Sequence, residues 1–291
     1  MTGRPMPPVS DPTQRVGLVG WPVEHSVSPA MHNAAFDALR LPWRYSLLPA
    51  PPGQVGSVLE RIREQGWRGA NVTVPHKQAV MPYLDGLTDA GSAIGAVNTI
   101  IARDGGLIGH NTDGDGFLAA LREVGFDPSN RAVLVLGAGG GARSVVHALA
   151  QAGCAITVHN RTGERAAQLV QDMQGVVSRT GSGWLKQVAS LQDLELDGFD
   201  LLVNTTPLGM WPDVNASPWP EDLAIPAHWT VFDLVYNPEE TQLLSRARAT
   251  GAVPVGGLGM LVLQGALAFE LWTGQAPPVE VMVAAAKEAL A

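Results

Sequence analysis

Two ionisable side chains in the first half of the chain could exchange a proton with a substrate, Lys77 and Asp113. A lysine can donate or withdraw a proton when it is held in place. A neighbouring carboxylate raises the proton affinity of the lysine, whereas burial lowers it. Each of the two residues follows a strand-like run. On spacing alone, a surface lysine and an aspartate that forms a turn before Gly114 are the commoner interpretations.

Neutral polar side chains occur in short segments around this pair, and a polyol substrate needs groups that both donate and accept hydrogen bonds. They are Ser26, Ser28, Asn71, Thr73 and Asn98. Period-two alternation places Asn71 and Thr73 on one face of a strand. Because Ser28 precedes Pro29, we predict Ser28 as a helix N-cap, and capping alone is the alternative role for the serines.

A glycine-rich turn follows the apolar run 132–136, and it reads Gly137-Ala138-Gly139-Gly140-Gly141-Ala142. This is a G-x-G-x-x-A motif between a strand and a helix. Gly137 permits the tight turn, Gly139 lets the backbone approach a pyrophosphate, and Ala142 keeps the helix close to the sheet. The helix N-terminus would present N–H groups to the phosphates. We therefore predict a dinucleotide site, with a turn of no function as the alternative.

The next strand of the pattern decides which dinucleotide is expected. An NAD site places Asp or Glu about 20 residues after the motif, on the ribose 2′-hydroxyl. Here the strand tip continues as Asn160-Arg161-Thr162, with Arg165 one helical turn later. A guanidinium binds a 2′-phosphate through charge-assisted bonds, so we predict NADP; solvated surface arginines are the alternative. Hydride transfer would turn a ketone into an alkoxide, which Lys77 could protonate.

Two successive α/β patterns position these groups. The first has predicted strands over 16–20, 43–48 and 69–74, helices over 28–39 and 55–65, and a hairpin of 97–102 with 107–110. The second has helices over 117–124, 143–152 and 164–173, and strands over 132–136, 155–159, 201–204 and 231–234. The continuous apolar strands indicate a doubly wound parallel sheet. We expect the helices from Met260 onward to return to the first domain.

We therefore predict an α/β fold, with an N-terminal α/β substrate domain, a Rossmann-type doubly wound NADP-binding domain and the active-site cleft between them. The substrate-binding and catalytic domain is predicted over 1–114 and completed by C-terminal helices over 258–291. The Rossmann domain is predicted over 115–257. A length of 291 residues suits two domains.

Composition excludes several classes of function. The net charge of −8 leaves no basic face for nucleic acid or an anionic membrane. The single cysteine, Cys154, allows no intramolecular disulfide and is expected to be a buried core thiol. The histidines form no metal motif, so we expect no metal. No G-x-S-x-G elbow is present for serine hydrolysis.

Two segments bear on location. Residues 1–15 lack an apolar segment, so we predict a flexible leader and no signal peptide. The apolar stretch 257–272 contains Gln264 and Glu270 and is shorter than the roughly 20 residues of a membrane span. We predict it as a buried or half-buried helix. The cytoplasm is the expected compartment.

Nine segments in order, from about residue 16 to the C-terminus, resemble the shikimate dehydrogenase family. They are 25–29, 71–77, 95–99, 111–113, 137–142, 160–166, 204–210, 233–238 and 257–264. The resemblance implies reversible NADPH-dependent reduction of 3-dehydroshikimate to shikimate, in the aromatic amino-acid (chorismate) pathway. Gly141 stands where the family often has alanine. The pair of serines favours shikimate, because quinate-using relatives tend to carry a bulkier hydroxyl residue at the position of Ser28.

The resemblance also implies roles for individual residues. Lys77 and Asp113 would be the catalytic pair, in contact with the substrate. The substrate carboxylate would be bound by Ser26, Ser28 and Tyr236, and the hydroxyls or carbonyl region by Asn71, Thr73, Asn98 and Gln264. The pyrophosphate would lie on 137–142 and the 2′-phosphate on 160–165. Leu234 and Gly257 would line the nicotinamide side, and Asp89 matches a position associated with the cofactor.

Two alternative functions stay open. A quinate/shikimate dehydrogenase of broader specificity would use quinate at a rate comparable to shikimate. A non-catalytic NADP-binding module would bind NADPH without turnover, although it would need neither Lys77 nor Asp113. The expected partner is the small-molecule substrate, with no nucleic acid and no membrane. The sequence leaves open whether the chain is a monomer or a homodimer.

Overall fold

The computed structural model describes residues 13–291 and contains two six-stranded sheets. Residues 1–12 of the predicted leader lie outside the described part. The first strand begins at Gln14, so the last two residues of the predicted leader belong to the sheet instead.

The first sheet is mixed, and the substrate-side polar segments lie on it. Its strands are β1 (Gln14–Gly20), β2 (Trp43–Pro49), β3 (Gly69–Val72), β4 (Gly86–Leu87), β5 (Thr99–Arg103) and β6 (Gly106–His110). Their order is β2-β1-β3-β5-β6-β4. The predicted hairpin is present, because β5 and β6 pair antiparallel around Asp104 and Gly105. Both turn residues have positive φ, which matches the right-handed twist of the flanking strands.

Four helices accompany this first sheet. They are α1 (Ser28–Ala38), α2 (Val55–Glu64), α3 (Asp89–Ile94) and α4 (Asp113–Glu123). Helix α4 carries the chain toward the second sheet, and the domain boundary predicted between residues 114 and 115 falls within it.

The second sheet is parallel throughout, as predicted. Its strands are β7 (Ala132–Leu136), β8 (Ala155–His159), β9 (Trp184–Val188), β10 (Leu201–Asn204), β11 (Thr230–Asp233) and β12 (Val253–Val255). Helices α5 (Gly140–Gln151), α6 (Gly163–Thr180) and α7 (Gln242–Thr250) connect them. In the order β12-β11-β10-β7-β8-β9, successive strands are added on one side from β7 to β9 and on the other side from β10 to β12, so the strand order reverses between β7 and β10. Ligands of such sheets bind in the crevice at this switch point, which is where the glycine-rich turn lies.

The last two helices, α8 (Leu258–Thr273) and α9 (Val279–Leu290), pack on the first sheet and its helix α1. Phe269 of α8 shares a hydrophobic core with Val16 of β1 and Phe36 of α1. The indole N–H of Trp272 donates to the carbonyl of Ile100 at 2.9 Å. The apolar stretch is thus a helix largely buried against the first sheet.

Several predicted bounds were wrong. Helices α4 and α5 begin at Asp113 and Gly140, earlier than the predicted 117 and 143. Their first turns contain glycines, whose low helix propensity does not indicate the start of a helix. Helix α6 runs to Thr180, past the predicted 173. Strand β3 ends at Val72, so Thr73 lies just beyond it. Five short or half-exposed elements were not predicted, namely β4, α3, β9, α7 and β12.

Cys154 is buried, as predicted, and its thiol donates to the carbonyl of Pro128 at 3.0 Å. Burial raises the pKa of this thiol to about 12, which keeps it protonated and unreactive.

None of the helices within residues 13–291 has both the length and the apolar character needed to cross a bilayer. Within the same range, no three His, Cys, Asp or Glu side chains come together in a way that could hold a metal ion.

Candidate active site

Lys77 and Asp113 meet at the ends of the strands that precede them. The Lys77 Nζ lies 2.6 Å from Oδ2 of Asp113, and the side chains are 17% and 5% exposed. Asp113 is the first residue of α4, where a carboxylate also interacts favourably with the helix dipole. A partly buried ammonium held by a carboxylate can donate a proton in a fixed direction.

Asn98 holds the other oxygen of this carboxylate. Its Nδ2 donates to Oδ1 of Asp113 at 2.8 Å and to Oε1 of Gln264 at 3.0 Å. Its own Oδ1 accepts the backbone N–H of Thr112 at 2.8 Å. Both oxygens of Asp113 therefore have partners, and its side chain is fixed while one oxygen contacts Lys77.

Asn71 of β3 is held by Tyr45 of β2, which lies two strands away in the first sheet. The hydroxyl of Tyr45 donates to Oδ1 of Asn71 at 2.8 Å, and Nδ2 of Asn71 donates to the carbonyl of Asn98 at 3.2 Å. Burial raises the pKa of the Tyr45 phenol well above its usual range, so the hydroxyl remains a donor.

The two serines form a second polar group at the start of α1. The hydroxyl of Ser26 donates to that of Ser28 at 3.1 Å. The prediction of Ser28 as N-cap was wrong: Val27 is the cap residue and makes no side-chain cap bond, and Ser28 is the first helical residue. The Ser26 hydroxyl instead accepts the Ser28 backbone N–H at 3.2 Å. Burial raises the pKa of nearby Tyr236, with a smaller opposing effect from its hydrogen bond to Ser26.

Most of these groups line one cavity of about 310 Å³. Lys77 and Tyr45 are not among its lining residues, and Lys77 adjoins the cavity through its contact with Asp113. The predicted residues that line it are Ser26, Ser28, Asn71, Thr73, Asn98, Asp113, Leu234, Tyr236, Gly257 and Gln264. Aromatic and apolar side chains from the loops after β1 and β10 also line it, among them Trp21, His25, Met210 and Trp211. The rings of His25 and Trp211 lie 4.3 Å apart, so the cavity is bordered by both halves of the molecule.

The glycine-rich turn has the shape that a pyrophosphate requires. Gly137 has φ of 111°, and a Cβ there would collide with Oγ1 of Thr205. Apart from Gly139 and its two chain neighbours, no heavy atom of the described part of the chain lies within 4 Å of a Cβ built on Gly139, so that backbone is open. Helix α5 begins at Gly140 and directs its first N–H groups to the same place. A dinucleotide phosphate fits this cradle.

The tip of β8 has the charges that a 2′-phosphate requires. Nδ2 of Asn160 donates to the carbonyl of Thr162 at 2.8 Å, which orders the turn into α6. Arg161 and Arg165 are both exposed. Neither forms an ion pair with any residue between 13 and 291. Their guanidinium groups are therefore available to an anionic ligand.

Asp89 lies apart from these groups. It is the first residue of α3, whose cap is Thr88, and its side chain is exposed. It is not among the residues that line the cavity.

Sequence reasoning assigned no role to five polar residues in these networks. They are Tyr45, Thr99, Asn111, Thr112 and Ser144. The polar run Asn111-Thr112 beside Asp113 was a usable signal. Tyr45 in a strand and Ser144 in a helix look like ordinary structural residues in the sequence.

A doubly wound sheet with an open glycine-rich turn, next to a lysine–aspartate pair whose carboxylate lines a cavity with convergent polar groups, defines a two-domain dinucleotide-dependent oxidoreductase. Family models match three stretches of the chain. They are the shikimate dehydrogenase substrate binding domain over 18–100, shikimate / quinate 5-dehydrogenase over 119–194, and the shikimate 5′-dehydrogenase C-terminal domain over 257–287. The chain belongs to the shikimate dehydrogenase family.

Individual relatives agree over nearly the whole length. The shikimate dehydrogenase (NADP(+)) of Moorella thermoacetica is 47% identical over 285 residues, covering 96% of this chain and 94% of the relative. The crystal structure of shikimate 5-dehydrogenase from Thermus thermophilus with NADP(H) and shikimate has a TM-score of 0.85 at 41% identity, covering 95% and 100%. The quinate dehydrogenase of Corynebacterium glutamicum with NAD has a TM-score of 0.83 at 32% identity, covering 94% and 98%.

Proposed function

We propose that this enzyme catalyses the reversible NADPH-dependent reduction of 3-dehydroshikimate to shikimate in the aromatic amino-acid pathway. The observation that carries the proposal is the 2.6 Å contact of Lys77 with Asp113 beside the open glycine-rich turn. The relatives named shikimate dehydrogenase (NADP(+)) support the choice of substrate and cofactor.

The substrate would lie across the cavity with its carboxylate toward the serines. Ser26, Ser28 and Tyr236 provide three hydroxyl groups there, and hydroxyls bind a carboxylate as hydrogen-bond donors. At the other end, the neutral side chains of Asn71, Thr73, Asn98 and Gln264 would bind the ring hydroxyls and the carbonyl region.

NADPH supplies the hydride that reduces the ketone. The Lys77 ammonium donates a proton to the carbonyl oxygen as negative charge develops there. Asp113 keeps that ammonium oriented, and Asn98 keeps Asp113 in place. In the reverse direction, the neutral amine of Lys77 withdraws the proton from the hydroxyl.

The cofactor would be held by residues of the second sheet. Residues 137–142 would bind the pyrophosphate, and 160–165 the 2′-phosphate. Leu234 and Gly257, which line the cavity, would border the nicotinamide. For Asp89 we keep a role toward the cofactor as a prediction from the family resemblance.

The substitution Arg161→Ala should selectively weaken the binding of NADPH. Losing one charge-assisted bond to the 2′-phosphate is expected to lower kcat/KM with NADPH about tenfold. The value of kcat/KM with NADH should stay unchanged, because NADH lacks that phosphate. Steady-state kinetics with both cofactors measures this. Arg179→Ala, an exposed arginine at the far end of α6, is the matched control. Equal losses with NADPH and NADH would contradict the assignment.

The direct test is loss of NADPH absorbance with 3-dehydroshikimate, with NADH in parallel and the reverse reaction on shikimate and quinate. NADPH-preferring turnover on the shikimate pair is expected. Comparable rates with quinate would indicate the enzyme of broader specificity. Clear NADPH binding without any turnover would indicate a non-catalytic module.

Three further points belong to this proposal. We propose that residues 1–114 with 258–291 act on the substrate and that 115–257 bind NADP, with α4 spanning the boundary. The cytoplasm is the proposed compartment, which a single buried cysteine supports. The choice between a monomer and a homodimer stays open, and light scattering of the purified protein would decide it.

A further inference from the structure

Ser144 is a buried serine of α5 whose hydroxyl contacts the loop before α4. Its nearest partner is Oδ1 of Asn111 at 3.1 Å. The carbonyl of Gly140, four residues earlier in the helix, lies 3.2 Å away, and Oδ2 of Asp113 lies 3.5 Å away. A helical serine commonly bonds only to the carbonyl four residues before it. The contacts of Ser144 with Asn111 and Asp113 therefore distinguish it from an ordinary helix serine.

Asn111 connects Ser144 to the backbone of Asp113. Its Oδ1 also accepts the Asp113 N–H at 3.0 Å, and its Nδ2 donates to the carbonyl of Ala96 at 2.9 Å. An amide oxygen has two acceptor positions, which the Asp113 N–H and the Ser144 hydroxyl can fill together. All three residues are buried, where hydrogen bonds are stronger than in water. The serine thus helps to fix the residue that carries the carboxylate.

The other member of the catalytic pair contacts the same turn of α5. A Cβ built on Gly140 would lie 2.7 Å from Cβ of Lys77, so the lysine stem packs directly on the helix backbone. Lys77 therefore touches the start of α5 at Gly140, and Asp113 touches it through Ser144. The first turn of α5 also presents the open cradle at Gly139.

We propose that Ser144 is a positioning residue, which holds Asp113 through Asn111 so that its Oδ2 stays on Lys77 while the cofactor occupies the start of α5. The proposal rests on the reduction proposed above. Ser144 does not touch the substrate in this role. It joins the helix that presents the phosphate cradle to the carboxylate that orients the proton donor.

Ser144→Ala should lower kcat about three- to tenfold, the range that one ordinary hydrogen bond gives. The KM values for NADPH and 3-dehydroshikimate should stay within about twofold, because no group that binds either ligand is removed. The thermal unfolding midpoint should change little, since Asn111 keeps its bonds to Asp113 and Ala96. A merely structural role for Ser144 would shift the unfolding midpoint and leave kcat unchanged.

Two variants of equal shape separate the hydroxyl from packing. Ser144→Thr keeps the hydroxyl and Ser144→Val replaces it with a methyl, while both add the same bulk beside α4. Threonine should retain a higher kcat than valine. Ser178→Ala is the matched control, because Ser178 makes the same kind of bond to the carbonyl four residues earlier, Gln174, at an exposed position.

A wild-type kcat in Ser144→Ala would overturn the proposal, and so would equal kcat values for the threonine and valine variants. The activity of the unsubstituted enzyme distinguishes a failure of the proposed function from a failure of the role of Ser144 alone. If it reduces 3-dehydroshikimate and the variants do not differ, only the role of Ser144 is wrong. If it shows no turnover, the proposed function and the role of Ser144 both fail.

Discussion

Replacing Lys77 with alanine should lower kcat for 3-dehydroshikimate reduction by about 10²- to 10⁴-fold, the range over which general acid catalysis typically contributes. The variant has no other donor at the position of Nζ, which lies 2.6 Å from Asp113. The hydride acceptor would then develop charge without a proton to neutralise it. Binding of NADPH should persist, because the glycine-rich turn and the arginines at the tip of β8 are unchanged.

Controls separate chemistry from folding in this variant. Lys186→Ala removes an exposed lysine of the second sheet and should leave kcat unchanged. Lys77→Arg keeps a positive charge beside Asp113, but a guanidinium does not release its proton, so kcat should stay low while the fold is retained. Steady-state kinetics, NADPH fluorescence and thermal unfolding measure the three properties. Near-normal turnover in Lys77→Ala would show that another group donates the proton.

The parts of the fold that could be predicted are those whose signal is local. Strands β7, β8 and β10 were predicted at their observed bounds, because each is a short, mostly apolar run between turn residues. Strand β9 lies at a sheet edge with mostly exposed side chains, so its sequence gives no such signal. The starts of α4 and α5 were missed because tertiary contacts, and not helix propensity, form their first turns.

The residues of the site also differ in how well they could be predicted, according to whether their signal is local. The glycine-rich turn is recognisable because its function needs adjacent residues in one turn. The lysine–aspartate contact joins residues 36 positions apart, and the Asn98–Gln264 contact joins residues 166 positions apart. No spacing rule predicts such distances, so Tyr236 and Gln264 were predicted from the family resemblance. Ser144 and Tyr45 had no signal, because their neighbours come from other elements.

Titration of His32 is expected to have the second large effect, which is on the stability of the folded protein and not on its turnover. It is fully buried beneath α8, with its ring stacked on Tyr45 at 4.4 Å between centroids. Its ring nitrogens have no hydrogen-bond partner among residues 13–291. Burial lowers the pKa of His32 to about 3, against an ordinary value of 6.5. The folded protein therefore keeps His32 neutral at pH values at which the unfolded chain protonates it.

Because the folded pKa is the lower one, the contribution of His32 is complete above pH 6.5 and is lost as pH falls toward 3. Between neutral pH and about pH 5, the loss in unfolding free energy is roughly 2 kcal/mol. His32→Phe should lack this loss, so its stability relative to wild type should rise by that amount on acidification. His32→Asn starts less stable but should show the same relative trend, which separates titration from packing. Denaturant unfolding at both pH values measures this, and parallel pH dependence in all three proteins would mean that His32 is protonated in the folded state.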